Sequence, residues 1–426
     1  MCGIFLPKPS KGINSHAAPV SILVINAGST SLKFGLFDAD ARESLVSGSI
    51  DWADGNRQRA RFLLRRGSRE ERSEVAVADD SAAATCAVRA LTAEGGITVV
   101  GHRVVHGGTE FRNSTLIDDQ VEATIAGLAA LAPLHNPPAL AAIRAVRCVL
   151  PRVPQVAVFD TAFFARLPAR AYLYAQPYEW YEKFGVRRIG FHGISLSYCA
   201  GRAMELLGRD PSESRLVICH LGGGCSATAV RGGEPVTTTM GFTPLDGLMM
   251  GTRSGSVDPG VLIHLLRHRG LTVNDLDDAL THRSGLFGVS GVSSDLAQIE
   301  AAASRGHQRA QLAFEMFADR VRSAIGALAV TMGGVDALVF TDRIGENSPA
   351  LRAAACDGLE CLGVRLDHQR NTSGRPDADI ATNDSPVRIL VIHTQEELMI
   401  ARETRGVAGS ASGDLGRSEP VGHTRD

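Results

Sequence analysis

The sequence predicts an α/β protein made of two related halves that face each other across a cleft, and three features predict it. Ser21 to Asn26 is an apolar, β-branched run. Ala27-Gly28-Ser29-Thr30 then makes a turn and Ser31 to Asp38 resumes as a strand, giving a hairpin tipped with glycine and hydroxyls. Leu216 to His220, Leu221-Gly222-Gly223-Gly224 and Cys225 to Arg231 repeat that pattern of strand, small-residue turn and strand. Short buried strands, Val156 to Asp160 and Ala337 to Thr341, follow the two hairpins at similar distances. Helical periodicity lies between them, at about 119–131, 137–149, 195–207, 258–269 and 306–333. Each half is therefore a mixed sheet covered by helices, and two hairpin tips facing one another suit a nucleotide.

Composition narrows the functional classes. The chain has 426 residues, room for more than one domain, and Lys+Arg of 44 against Asp+Glu of 46 leaves a net charge of −2. That balance provides no global field for nucleic acid or anionic lipid, so any anion site is local. No run of about 18 apolar residues is present, which argues against a membrane span. The eight cysteines form no C-x-x-C pair and no secretory leader is recognisable, so free thiols and a cytoplasmic location are expected. The dense charge run at 57–74 reads as a solvated hairpin or loop, because Glu70, Glu71 and Glu74 offset its arginines. His102 with His106, and His264 with His268, have the spacing of ligand pairs but lack the glutamate of a zinc protease, so no metal is assigned to them.

Several segments carry chemistry. Asn26-Ala-Gly-Ser29-Thr-Ser31-Leu-Lys33 groups backbone N–H donors, hydroxyls and an ammonium around a turn, as a polyphosphate requires. Lysine occurs only at 8, 11, 33 and 183, which makes Lys33 notable. Arg103 follows the apolar strand Ile97 to Val100, and Arg253 stands between glycines in Gly251-Thr-Arg253-Ser-Gly255. Either planar fork can take a carboxylate or phosphate. Asp160 ends a buried strand and must pair with an arginine or serve a site. His192 lies on a small-residue turn, Phe191-His192-Gly193. Ile344-Gly345-Glu346-Asn347 follows one strand and precedes a helix. Thr394-Gln-Glu396-Glu397 ends the strand Arg388 to Ile392 and opens the last helix, where a carboxylate could hold Mg²⁺.

These segments together resemble the acetokinase family over nearly the whole folded chain. The matching stretches are VINAGSTSLKFGLFD, GHRVVHGG, PLHNPP, VAVFDTAFF, RRIGFHGIS, HLGGG, GFTPLDGLMMGTRSG, VSSDL, IGEN and EELMIARET, in family order. The resemblance implies two duplicated actin-like ATPase domains of the ribonuclease H-like βββαβαβα type, and a homodimer. The implied division is a loose extension at 1–19, an N-terminal domain at 20–162 plus 396–405, a C-terminal domain with the nucleotide site at 163–395, and a loose tail at 406–426.

It further implies reversible transfer from ATP to acetate, giving acetyl phosphate and ADP, with Mg²⁺ or alternatively Mn²⁺. Carried onto this sequence, Asn26 and Glu396 are the metal positions, and Ser29, Ser31 and Lys33 the phosphate contacts. Arg103 and Arg253 hold acetate and the transferred group, Asp160 is the catalytic aspartate and His192 the transition-state stabiliser. Val105, Leu134, Phe191 and Pro244 form the acyl pocket. The nucleotide contacts are His220, Leu221, Gly222, Gly223, Gly224, Asp295, Leu296, Ala297, Arg343, Ile344, Gly345, Glu346 and Asn347.

Departures from the family pattern cluster on the donor side. HLGNG reads with Gly223, AGIGEN begins Asp342-Arg343, and the arginine of VSSDLRD is Ala297. FHGTSH ends in Leu196, FDTAFH in Phe164, and TNEE contains Gln395. These changes predict a weakened or altered ATP pose, and Arg343 in the adenine space would suit pyrophosphate. Propionate as acceptor, and a catalytically weakened relative, are the other readings.

Overall fold

The computed structural model describes residues 21–414 apart from positions 29, 53, 54, 93, 211 and 213. Ser29, the extension at 1–19 and the tail from 415 onward fall outside the described residues.

Two mixed sheets carry the fold. The first is built on β1 (Ser21–Ala27), β2 (Ser31–Asp38), β3 (Ser44–Asp51), β4 (Ala60–Arg66), β5 (Arg69–Val75), β6 (Ile97–Val104), β7 (Thr115–Leu116) and β8 (Gln155–Phe159), in the order β5-β4-β3-β2-β1-β6-β8-β7. The second contains β9 (Arg215–Leu221), β10 (Cys225–Arg231), β11 (Glu234–Thr238), β12 (Ala337–Thr341), β13 (Ala378–Asp379) and β14 (Arg388–Val391), in the order β11-β10-β9-β12-β14-β13. The segment β3-β2-β1-β6-β8 of one sheet has the same order and directions as β11-β10-β9-β12-β14 of the other: two antiparallel pairings, then two parallel ones. The duplication expected from the two glycine turns is thus present in the strand order. The charged run at 57–74 ends in the hairpin β4-β5, where Arg59 meets Glu74 at 2.8 Å and Arg65 meets Glu70 at 2.7 Å.

Alternation along the central strands places the core. Leu23 and Ile25 of β1 face the helices Asp80–Thr92 and Asn136–Val149, while Ile22 and Val24 face the opposite way. In β9, Val217, Cys219 and Leu221 pack with the long helix Gln308–Thr331, while Leu216 and Ile218 join Ile22 and Val24. That joint layer also takes Leu196 and Cys199 from the helix Gly193–Leu207, and Leu398 and Ile400 from the helix Glu396–Asp414. Two helices are therefore clamped between the sheets, and each buried Ile or Leu there contributes about 1.5 to 3 kcal/mol. The clamp aims the carboxyl ends of β1, β6 and β8 and those of β9, β12 and β14 at one region.

The last helix runs to Asp414, so residues 406–414, expected as loose tail, are helical. Ile344 to Asn347 precede the helix Pro349–Cys356, as expected, and themselves lie in a further short helix, Asp342–Asn347. The helices Val273–His282 and Leu296–Ser304 were not anticipated. Among the described residues, no helix is long and apolar enough to cross a membrane, and the described cysteines are all free.

Candidate active site

Three parallel strands deliver the first group of side chains. Asn26 near the end of β1, Arg103 in β6 and Asp160 just past β8 are brought together with Glu396 from the last helix. Arg103 donates through Nε at 3.0 Å and Nη2 at 2.7 Å to one oxygen of fully buried Asp160, and through Nη1 at 3.3 Å to Asn26 Oδ1. Glu396 lies 3.9 Å from the same guanidinium. Asn26 Nδ2 donates to Glu396 at 3.0 Å and Glu397 at 2.9 Å. Burial opposes the charge on Arg103, yet Asp160 and Glu396 overcome it and hold the guanidinium above its ordinary pKa. Burial likewise opposes ionisation of Glu396, and Arg103 and Lys33 bring its pKa down. Lys33 is raised, first by Glu397.

The histidines come from the seam between the halves. His192 has a left-handed backbone, φ 61°, which a side-chain-bearing residue adopts only under constraint. It precedes the helix Gly193–Leu207, whose Ile194 N–H donates to Asp160 at 3.3 Å, so Asp160 ties Arg103 to the turn that presents His192. His192 Nδ1 pairs with the Ser226 hydroxyl at 2.9 Å, and its ring stacks on His220 at 4.1 Å. Burial, then His220 and the two arginines, push its pKa well down, leaving a neutral imidazole. A β-carbon placed on Gly224 would lie 2.8 Å from Arg253 Nη2 and 3.2 Å from His192 Nε2, so both groups close over the second glycine turn. Arg253 donates to the Pro244 carbonyl at 2.5 Å and has no carboxylate partner among the described residues. Burial lowers its pKa.

His135 was not assigned from sequence, although its motif was recognised. Its pKa is pushed down to about 3, first by burial and then by Arg103 and Arg253, which places it near both guanidiniums, and its Nδ1 is buried without a hydrogen-bond partner. Val105 and Phe191 share one apolar cluster and are 4% and 1% exposed, whereas Leu134 stands at the surface, 41% exposed. Three of the four acyl-pocket residues thus lie close to the arginines or to each other.

The donor-side residues divide. His220 Nδ1 pairs with Ser195 at 2.9 Å and Ser195 with Thr394 at 2.7 Å. Leu221, Leu296 and Ile344 bury their side chains, leaving only backbone to face a ligand. Glu346 is committed internally: one oxygen accepts the Asp342 and Thr394 N–H groups at 3.1 and 3.3 Å, the other pairs with His393 at 2.7 Å. Arg343 is exposed and meets Asp295 at 2.5 Å. Asp295 also caps the helix Leu296–Ser304 by accepting the Ala297 N–H at 2.9 Å. Ser31 and Lys33 flank the first turn, and Gly345 is buried in its helix.

A magnesium ion takes hard oxygen ligands, commonly one or two carboxylates completed by water and substrate phosphate. The Glu396 and Glu397 carboxylates lie together beside Asn26 and Lys33 and fit the ion by their chemistry, while Asn26 turns its Nδ2 toward them and its Oδ1 toward Arg103. Among the described residues no group of three His, Cys, Asp or Glu side chains forms a closed metal cage.

The chain matches the acetokinase family over residues 21–402. It is 51% identical to an acetate kinase of Gloeobacter violaceus over 403 residues, covering 90% of this chain and 98% of that one. Its fold superposes on the crystal structure of Porphyromonas gingivalis acetate kinase with a TM-score of 0.82 at 39% identity, covering 91% of this chain and all of that one. A propionate kinase from Francisella tularensis gives a TM-score of 0.84 at 36% identity, with the same coverage.

Proposed function

The chain belongs to the acetokinase family, and on that premise we propose how its cleft divides the work of phosphoryl transfer. The enzyme is a kinase that transfers a phosphoryl group to acetate. The carrying observation is Arg253, a largely buried cation with a carbonyl but no carboxylate for partner, converging with the neutral ring of His192 over Gly224. A site of that kind is built for an anion that arrives as substrate.

Acetate is ionised at neutral pH, so its oxygen attacks phosphorus without a general base and catalysis is positioning plus charge neutralisation. Arg103 binds the acetate carboxylate or the transferred group from one wall and Arg253 from the other. His192, with Nδ1 held by Ser226, turns Nε2–H toward the phosphoryl oxygens that gain charge. Asp160 orients Arg103 and the His192 turn and takes no proton. In this reading the catalytic aspartate implied by resemblance acts by positioning. Magnesium held by Asn26 and Glu396, with Glu397 beside them, would neutralise charge on the donor phosphates. Val105, Phe191 and Pro244 receive the methyl group, and propionate, one methylene larger, is disfavoured by only about 1 to 3 kcal/mol.

ATP is the proposed donor, seated on the two glycine turns. Pyrophosphate is a second reading, favoured by the Arg343–Asp295 pair that bridges the nucleoside side. A homodimer is proposed from the helix Pro259–His268, which buries no residue and exposes Val261, Ile263 and Leu266. The test is a hydroxylamine-trapped assay of purified protein with acetate or propionate against ATP and pyrophosphate. Acetyl hydroxamate formed with ATP supports the reading, and none with either donor defeats it.

A further inference from the structure

We propose that the Asp342 carboxylate is an internal anion seated in the cradle that receives the donor's phosphates, so that it sets donor affinity and must be displaced when a polyphosphate binds. The proposal rests on the reading of the second glycine turn as a phosphate site.

Asp342 opens the helix Asp342–Asn347 with a left-handed backbone, φ 64°. Only Ala41 and His192 share that region among the described non-glycine residues. Glu346 holds this conformation by accepting the Asp342 N–H at 3.1 Å. The strained turn throws the side chain onto the glycine loop: a β-carbon on Gly222 would come within 1.7 Å of Asp342 Oδ2. The same oxygen is 3.3 Å from His220 Nε2, and Lys33 from the first turn adds favourable charge. An imidazole nitrogen, a bare glycine face and an ammonium are the groups that would otherwise meet a phosphate oxygen. The carboxylate satisfies them in its place, and the turn tolerates it only because position 222 has no side chain. Asp342 makes no hydrogen bond or ion pair with Arg103 or Arg253, so it has no direct contact with the arginines of the acetate side.

An incoming polyphosphate meets a like charge at this point, and the penalty grows with its own charge. Removing the carboxylate therefore tightens donor binding. The experiment is calorimetric titration of the full chain, as wild type, Asp342→Ala and Asp342→Asn, with ADP and with pyrophosphate, each with magnesium at fixed ionic strength. Steady-state KM values for donor and acetate are measured alongside. Both variants are expected to bind either ligand about tenfold more tightly, with donor KM falling and acetate KM unchanged. The near-isosteric Asn variant keeps the result readable if Ala disturbs the turn. Unchanged binding, or weaker binding as expected of a carboxylate that helps hold the donor's magnesium, overturns the proposal. If wild type and both variants bind neither ligand, the phosphate reading of the turn fails and takes the proposal with it. If wild type binds and the variants match it, the proposal alone fails.

Discussion

Arg253 and His192 close on the same point above Gly224, Nη2 2.8 Å and Nε2 3.2 Å from where a β-carbon would stand. One brings a permanent charge without a carboxylate, the other a neutral ring, so the pair has net positive character and favours an anion. Arg253→Ala should lower kcat by about 10² to 10³, the cost of one oxyanion-stabilising donor. Arg253→Lys should restore little, because an ammonium lacks the planar fork. Near-normal hydroxamate production by either variant would remove Arg253 from the reaction.

Asp160 holds Arg103 through two nitrogens on one oxygen and also receives the Ile194 N–H. Asp160→Asn keeps the shape but removes the counter-charge. We expect acetate KM to rise and kcat to fall together, because both the arginine and the His192 turn lose their anchor. Asp160→Ala should in addition destabilise the protein by about 3 to 5 kcal/mol by leaving a buried guanidinium partly unpaired. A denaturant titration with an unchanged midpoint for Asp160→Ala would contradict the burial argument.

Ser226 is fully buried and its hydroxyl meets His192 Nδ1. A hydroxyl donating there leaves the proton on Nε2, the nitrogen that faces Gly224. Ser226→Ala frees the tautomer, so kcat should fall about tenfold with both KM values held. Ser226→Thr, which keeps the hydroxyl, should recover part of the loss. A change confined to KM would instead mean that Ser226 acts on binding.

The two glycine turns, Arg103, Asp160, His192 and Arg253 could be read from sequence because each stands at a strand end or between glycines, where local pattern carries the signal. Ser226 and Ser195 could not. Ser226 lies within the β10 strand and looks like any small polar residue, and its importance comes from a histidine thirty-four positions away. The internal partners of Glu346 were hidden for a similar reason. A motif glutamate beside a glycine looks like a ligand contact, but both its oxygens are spent on Asp342, Thr394 and His393. The duplication followed from the repeated hairpins. The extra length of the last helix did not, because the glycines and serines of 406–414 have low helix propensity and give no periodic signal.

The helix Pro259–His268 is apolar yet buries nothing, and Val257 just before it is also exposed. If a second copy covers this face, Ile263→Glu combined with Leu266→Glu should shift the protein to monomer, by placing charge where apolar contact is required. Light scattering after size exclusion reads the mass directly. A wild-type protein that elutes as a monomer, or a double variant that remains dimeric, rules out this face.

The Asp342–His220 pair also makes stability depend on pH with a definite sign. Burial alone would lower the His220 pKa, but Asp342 raises it above the ordinary 6.5. Its contribution is therefore complete below that value and fades as pH climbs through the higher folded one. Asp342 behaves oppositely: burial works against its charge, and His220 brings it down to about 2 from 3.8. Its contribution is present above 3.8 and disappears as pH falls toward 2. The pair is whole only between these limits. The melting temperature of wild type minus that of Asp342→Asn should be widest, about 2 °C for roughly 1 kcal/mol, between about pH 4 and 6.5. It should narrow as the solution becomes alkaline. The Asn variant can accept a hydrogen bond but cannot hold a proton on the imidazole, so only the charge-dependent part is removed. A gap that stays constant from pH 5 to 9 would mean that His220 is neutral throughout and that Asp342 meets it only as a hydrogen-bond acceptor.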